Sequence, residues 1–151
     1  MIHGVEIKRL TTHADERGAL TELIRNDDPF FEGFGQCYVS VSYPGVIRGW
    51  HHHKKQTDYF TCVRGMIKVP LYDMRDDSPT KGELNVFFIG DDNRIVVKIP
   101  IGVLHGFKNI GVEPCYLINF PTKPYDPADP DEYRIPYDSP DIPYNWDLEF
   151  H

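Results

Sequence analysis

Short apolar runs alternate with polar residues along this chain, and they stop at glycine, proline, asparagine or aspartate. Cys37-Tyr-Val-Ser-Val-Ser-Tyr43 alternates residue by residue and ends at Pro44-Gly45. Tyr59-Phe-Thr-Cys-Val63 leads to Arg64-Gly65, and Met66-Ile-Lys-Val-Pro-Leu-Tyr72 follows, so this pair reads as a hairpin. Asn85-Val-Phe-Phe-Ile89 breaks at Gly90-Asp91-Asp92-Asn93. Ile95-Val-Val-Lys-Ile99 stops at Pro100, and Pro114-Cys-Tyr-Leu-Ile-Asn-Phe120 stops at Pro121. Strands of five to seven residues between such turns predict an all-β, antiparallel barrel or jelly roll. Helical periodicity is scarce, and only Pro29 to Gly35 suits a short helix or a loop. The expected layout is a single domain over residues 1–151. It has an N-terminal strand segment at 1–35 and an irregular arm at 121–151, rich in Pro and Asp. The aromatics Tyr125, Tyr133, Tyr137, Tyr144 and Trp146 predict that this arm wraps the barrel or a neighbouring subunit.

Composition narrows the function. A net charge of −7 argues against a general nucleic-acid binder, yet leaves room for one small anion held by local Arg and Lys side chains. There is no apolar run long enough to span a membrane. The start, Met1-Ile2-His3-Gly4-Val5, is too short and polar for a signal peptide. Cys37, Cys62 and Cys115 are odd in number and form no CxxC, which reads as buried thiols in a reducing cytoplasm.

The chemistry concentrates in Gly45-x5-His51-x-His53-x4-Asp58-x6-Gly65 and, further on, Pro100-x-Gly102-x2-His105-x3-Asn109. In a strand, side chains two apart share a face. His51 and His53 are therefore expected to point together, with His52 on the other face. Asp58 is expected on the next antiparallel strand and His105 on a later one. Three imidazoles and a carboxylate aimed into one cavity make either a divalent-metal site or an acid/base site. The competing reading is a set of partly buried, hydrogen-bonded structural groups. The two segments together resemble the cupin pattern, with Asp58 in place of its Glu and Arg94 where the second half has its first Gly. The resemblance implies a cupin-type jelly roll.

From Asp15 to Trp146 the chain also resembles one cupin group, the dTDP-4-dehydrorhamnose 3,5-epimerases. Asp15-Glu16-Arg17-Gly18 with Glu22 is similar to that family's D-x-R-G-x-x-x-E. Val46-Ile-Arg48-Gly-Trp-His51 resembles V-L-R-G-L-H, and Asp77-Ser-Pro-Thr80-x-Gly82 resembles E-S-P-T-x-G. Ile99-Pro-x-Gly102-x-x-His105-Gly-Phe107, Thr122-x-x-Tyr125-x-Pro127 and Ile142-x-x-x-Trp146 match further stretches. Gln36 falls where the family has a substrate-contacting Gln. There are departures. His52 and His53 follow His51 where the family has an aromatic and Gln, and the family's active-site Lys falls on Asp58. Its general-acid Tyr aligns with Asn119, or with Tyr116 if a gap is allowed. The carboxylate that orients the family's base lies in a C-terminal extension past position 151.

The resemblance implies an isomerase acting on a nucleotide-linked 4-keto-6-deoxy sugar. His51 is the implied base and Tyr116, reached with a gap, the acid; the residues themselves offer Asp58 or His105 as the partner that orients His51. Arg17, Glu22, Gln36, Arg48, His105 and Asn119 are the implied substrate contacts. It requires no cofactor and implies a homodimer. The residues alone leave a divalent metal on His51, His53, Asp58 and His105 open. They also leave open a metal-dependent ketoisomerase or other small-molecule enzyme, and a sugar-nucleotide-binding protein without turnover.

Overall fold

A computed structural model describes residues 1–149. Twelve strands and no helix occur among them. They are β1 (Glu6–Arg9), β2 (Thr12–Asp15), β3 (Gly18–Thr21), β4 (Tyr38–Ser42), β5 (Ile47–His52) and β6 (Asp58–Arg64). There follow β7 (Met66–Tyr72), β8 (Leu84–Gly90), β9 (Ile95–Ile99), β10 (Leu104–Asn109), β11 (Cys115–Asn119) and β12 (Tyr133–Arg134). One five-stranded sheet has the order β1-β9-β6-β11-β4 and the other β12-β5-β10-β7-β8. Every pairing is antiparallel, and β2 and β3 form a separate hairpin. This is the all-β jelly roll that the turn spacing predicts.

The expected hairpin at Arg64-Gly65 does not form. β6 pairs with β9 and β11, while β7 pairs with β8 and β10 in the opposite sheet. The reason lies in burial. Both runs are apolar enough to sit at the middle of a sheet, and joining them edge to edge would use up one flank of each. Gly65, at φ 83°, turns the corner between sheets, where an added Cβ would lie 3.2 Å from Cys115. Ile67, Val69 and Leu71 of β7 then meet Phe60, Val97, Ile99 and Leu117 from the facing sheet in the main core. Each such side chain contributes about 1.5–3 kcal/mol when fully buried.

The outer face of β6 and β9 is covered as well. Residues 29–35 form a loop, not a helix, and Phe30 packs with Tyr59 and Val96 in a second cluster that Phe31 flanks. The Tyr59 hydroxyl donates to the Phe30 carbonyl (3.0 Å) and accepts the Glu32 amide (2.8 Å). A third cluster joins Trp50 and Leu104 to Ile142 and Trp146 of the C-terminal arm. That docking explains the glycines beside the two site histidines. β5 and β10 run so close here that a Cβ on Gly106 would lie 2.7 Å from Gly49 and 3.0 Å from the Trp146 ring. Lys68 and Lys108 tie the arm down by donating to the carbonyls of Asp147 (2.7 Å) and Trp146 (2.9 Å).

The Asp77-to-Gly82 motif proves to be a clamp on Asp73. This carboxylate is fully buried. It accepts two bonds from the Arg75 guanidinium (2.8 Å each) and one each from the hydroxyls of Ser78 and Thr80 (2.6 Å each). Burial opposes its charge, but the Arg75, Ser78 and Thr80 donors outweigh burial and hold its pKa well below the carboxylate range. Asp73→Ala would strand the Arg75 charge and both hydroxyls. The expected loss is about 3 kcal/mol, a fall in melting temperature of roughly 6–12 °C for a chain of this size. Thermal unfolding of the variant checks it.

Candidate active site

His51 is the penultimate residue of β5 and stands directly opposite His105 on β10. Their rings lie 4.2 Å apart between centroids, and His53, just past the strand end, places its ring 5.6 Å from His51. The period-two expectation holds: His52 turns the other way and stacks on Tyr133 at 5.2 Å. Asp58 was expected on the neighbouring strand. It stands instead at the start of β6 in the opposite sheet, because the short turn at 53–57 crosses the barrel mouth. The carboxylate therefore faces the histidines across the interior. One nitrogen or oxygen from each of His51, His53, Asp58 and His105 lies within 4.8 Å of the others.

The hydrogen bonds fix the tautomers. A carbonyl can only accept, so Nδ1 of His105 donates to Val103 (2.9 Å), and Nδ1 of His53 donates to the Asp131 carbonyl. Both rings thereby present Nε2 to the same oxygen, Asp58 Oδ2, at 3.1 Å from His53 and 3.3 Å from His105. The other oxygen of Asp58 accepts the Gln56 side-chain amide at 2.8 Å. Asp58 is almost wholly buried. Burial works against its charge, but the two imidazoles prevail and hold it far below the usual carboxylate value. Burial also works against charge on His53, yet Asp58 raises the net value. His51 goes the other way. Burial, then His105 and His53, hold it well below the ordinary imidazole value, so it is neutral at neutral pH.

Two cavities, of about 540 and 410 Å³, share Tyr38, His51 and Glu132 as lining. The first opens at the barrel mouth and includes Gln36, His53, Lys55 and Tyr125. The second reaches into the barrel past Arg48, Trp50, Phe60 and Arg134. Gln36 is held by the Tyr125 amide, which donates to its Oε1 (3.1 Å). Arg48 donates through Nε to Ser42 (2.8 Å).

Other expected site residues lie elsewhere. Arg17 sits on the exposed β2–β3 hairpin, bound to Asp15 (2.5 Å), and Glu22 pairs with Arg25 (3.5 Å). Neither lines the cavities around His51 within one chain. Tyr116 is a correction. Along β11 the inward positions are Cys115, Leu117 and Asn119, so parity sends Tyr116 to the outer face, where its ring lies 5.8 Å from the Arg64 guanidinium. Asn119 is fully buried, and its amide contacts the Tyr59 amide and the Tyr38 hydroxyl.

Three contributors escaped the sequence reading. Asp131 accepts from the backbone amides of Lys54 (2.7 Å), Lys55 (2.7 Å) and Gln56 (3.1 Å), so one arm residue shapes the whole turn behind His53. Gln56 satisfies Asp58, and Tyr38 faces His51. Asp131 lies in a proline- and aspartate-rich stretch where no periodicity separates one acid from the next. Tyr38 lay in plain view within an alternating strand.

The interior between the sheets thus places a partly buried imidazole, held below its ordinary pKa, beside a buried carboxylate, with arginines along an open cavity, a set that can take up a proton or hold a cation. The model of the dTDP-4-dehydrorhamnose 3,5-epimerase family matches residues 1–151, and the chain belongs to that family. It is 51% identical over 152 residues to the probable low-salt glycan biosynthesis epimerase Agl13 of Haloferax volcanii, covering 99% of this chain and 97% of that one. It is 47% identical over 150 residues to the spore coat polysaccharide biosynthesis protein SpsL of Bacillus subtilis, covering 99% of both. Among solved structures, the dTDP sugar isomerase of Desulfovibrio desulfuricans G20 superposes with a TM-score of 0.90 at 33% identity, over 96% of this chain and 92% of that one. The protein is an enzyme of the sugar-nucleotide epimerase/isomerase class.

Proposed function

We propose that the protein inverts a carbon beside the 4-ketone of its sugar nucleotide, with His51 as the base. One observation carries this reading: His51 stands where the two cavities meet, and its surroundings keep it unprotonated. Removing a C–H proton beside a ketone needs a free imidazole lone pair, and it leaves an enolate that positive or hydrogen-bonding groups stabilise. Arg48 and Arg134 line the inner cavity and offer that charge to the enolate or to the pyrophosphate. Asp58 acts at one remove, fixing His53 and His105 around the base. Three free cysteines suit a reducing cytoplasm, and no helix among the described residues is long and apolar enough to cross a membrane.

Solvent-exchange kinetics test the base. In heavy water, wild type offered a dTDP-4-keto-6-deoxyhexose should incorporate deuterium next to the ketone. His51→Asn should exchange about 10²–10⁴-fold more slowly while still binding dTDP. Undiminished exchange in the variant would remove His51 from the role.

A second reading has its own support. Asp58 Oδ2 and His105 Nε2 are buried without a hydrogen-bond partner, although Nε2 of His53 (3.1 Å) and of His105 (3.3 Å) both approach that oxygen. Nδ1 of both His53 and His105 is anchored on a carbonyl, the usual support behind metal-ligating histidines. The residues thus fit a divalent ion held by His51, His53, Asp58 and His105. When bound, such an ion supplies Lewis-acid stabilisation of an enolate or enediolate oxygen, which suits a ketoisomerase equally. Elemental analysis of protein purified without chelator should find about one ion per chain, and His53→Ala should lose most of it while its circular dichroism is unchanged. No metal in wild type, or a full equivalent in the variant, rejects this reading.

We also propose a homodimer. β4 is an edge strand, and its outward residues Val39 (55% exposed) and Val41 (42%) lie beside Ile118 and Tyr116 of β11. With Tyr43 (72% exposed) they form an apolar strip that a second copy would cover. Light scattering should give twice the 17.5 kDa chain mass, and Val39→Asp/Val41→Asp should give the single mass. A dimeric double variant places the interface elsewhere.

A further inference from the structure

Inversion needs two proton carriers on opposite faces of the carbon. His51 supplies one. Of the two residues the resemblance offers for the family's acid, Tyr116 lies on the outer face of β11, and Asn119 is an amide, which has no proton to give at neutral pH. Its place in the sheet shows what replaces it. Asn119 on β11 stands directly opposite Tyr38 on β4, and its Nδ2 donates to the Tyr38 hydroxyl oxygen at 2.9 Å.

The direction of that bond is determined by a second one. The Tyr59 backbone amide can only donate, and it donates to Asn119 Oδ1 at 3.1 Å. The carboxamide is therefore oriented with its NH₂ towards Tyr38. The Tyr38 oxygen must accept, so its own proton points away from Asn119. The ring lines both cavities together with His51. Tyr38 belongs to the sheet β1-β9-β6-β11-β4 and His51 to the sheet β12-β5-β10-β7-β8, so the two side chains reach the cavities they share from different sheets. A sugar ring held there presents one face to each.

We propose that Tyr38 is the catalytic acid, and that Asn119 is the positioning residue which orients its hydroxyl and stabilises its anion. The inference rests on His51 acting as base. In the step, the enolate oxygen lone pair re-forms the C=O bond and the carbon takes the Tyr38 proton on the face opposite His51. The O–H bond breaks to give a phenolate that accepts the Asn119 N–H. Water then returns a proton to Tyr38 and takes one from His51, so no net proton is consumed. Other tyrosines are poorly placed. Tyr116 is on the outer face, and Tyr125, 60% exposed against 44% for Tyr38, lines the mouth cavity but not the inner one.

Heavy-water turnover of a dTDP-4-keto-6-deoxyhexose separates the two steps. Wild type should give inverted, deuterated product. Tyr38→Phe should bind dTDP normally and still wash deuterium into recovered substrate, because His51 can return a deuteron to the face it came from. Its inversion should fall about 100-fold or more. The double variant Y38N/N119Y, which moves the phenol to the facing strand, should recover part of the inversion that Y38N loses. Inversion by Tyr38→Phe within a few-fold of wild type overturns the proposal. So does a folded, dTDP-binding Tyr38→Phe that loses exchange and inversion together, since a dedicated acid acts after exchange. Absence of exchange in wild type is a different result: it overturns the His51 reading itself, and this inference with it.

Discussion

Everything at the heart of this barrel is arranged around one buried negative charge. A carboxylate sealed from water costs several kcal/mol unless positive or donor groups meet it. Asp58 stands almost wholly buried where the resembled family carries a lysine, so the sign at this point is reversed. Gln56 donates to one oxygen, and two imidazoles converge on the other. What lies between those imidazoles and Asp58 has to be positive, whether protons on the rings or an ion. The demand propagates outward. His105 must be anchored on Val103, His53 on Asp131, and Asp131 must hold the turn that carries Gln56. His51, left beside this compensated group, stays neutral and free to take a proton.

The frame was legible in the sequence because strand parity and turn residues are local signals. Period-two alternation placed His51 and His53 on one face and His52 on the other, and the turn residues bounded most strands. What sequence could not show is which strands become neighbours. The Arg64-Gly65 turn looks like a hairpin in one dimension, and only the burial of both flanks in different sheets makes it a corner. The same limit hid Tyr38. Its role depends on standing opposite Asn119, some eighty positions away along the chain, and that pairing is a property of the sheet. Alignment led towards Tyr116 as the acid, yet the parity of β11, readable beforehand, sends that ring outward.

The arm was legible as aromatic but not as structural. Its aspartates looked like solvated punctuation between prolines. In the fold one of them, Asp131, organises the site turn, and Trp146 fills the trough left by Gly49 and Gly106. The family-like motifs thus divide by task. Asp77-to-Gly82 secures a loop through Asp73, the glycines beside the site histidines make room for a tryptophan, and the histidines and Tyr38 address the cavity.

The seating of Trp146 has a consequence for how the molecule is made. Trp50 and Leu104 bury themselves against residues that leave the ribosome after every barrel strand. β5, which carries His51, also takes its edge pairing from β12 in the same late segment. A nascent chain that has completed β11 therefore still has an open seam along β5, beside His51, and an uncovered indole. The strand that carries His51 is covered last, by the segment with the least regular structure, and a chain interrupted before Trp146 would leave Trp50 and Leu104 uncovered.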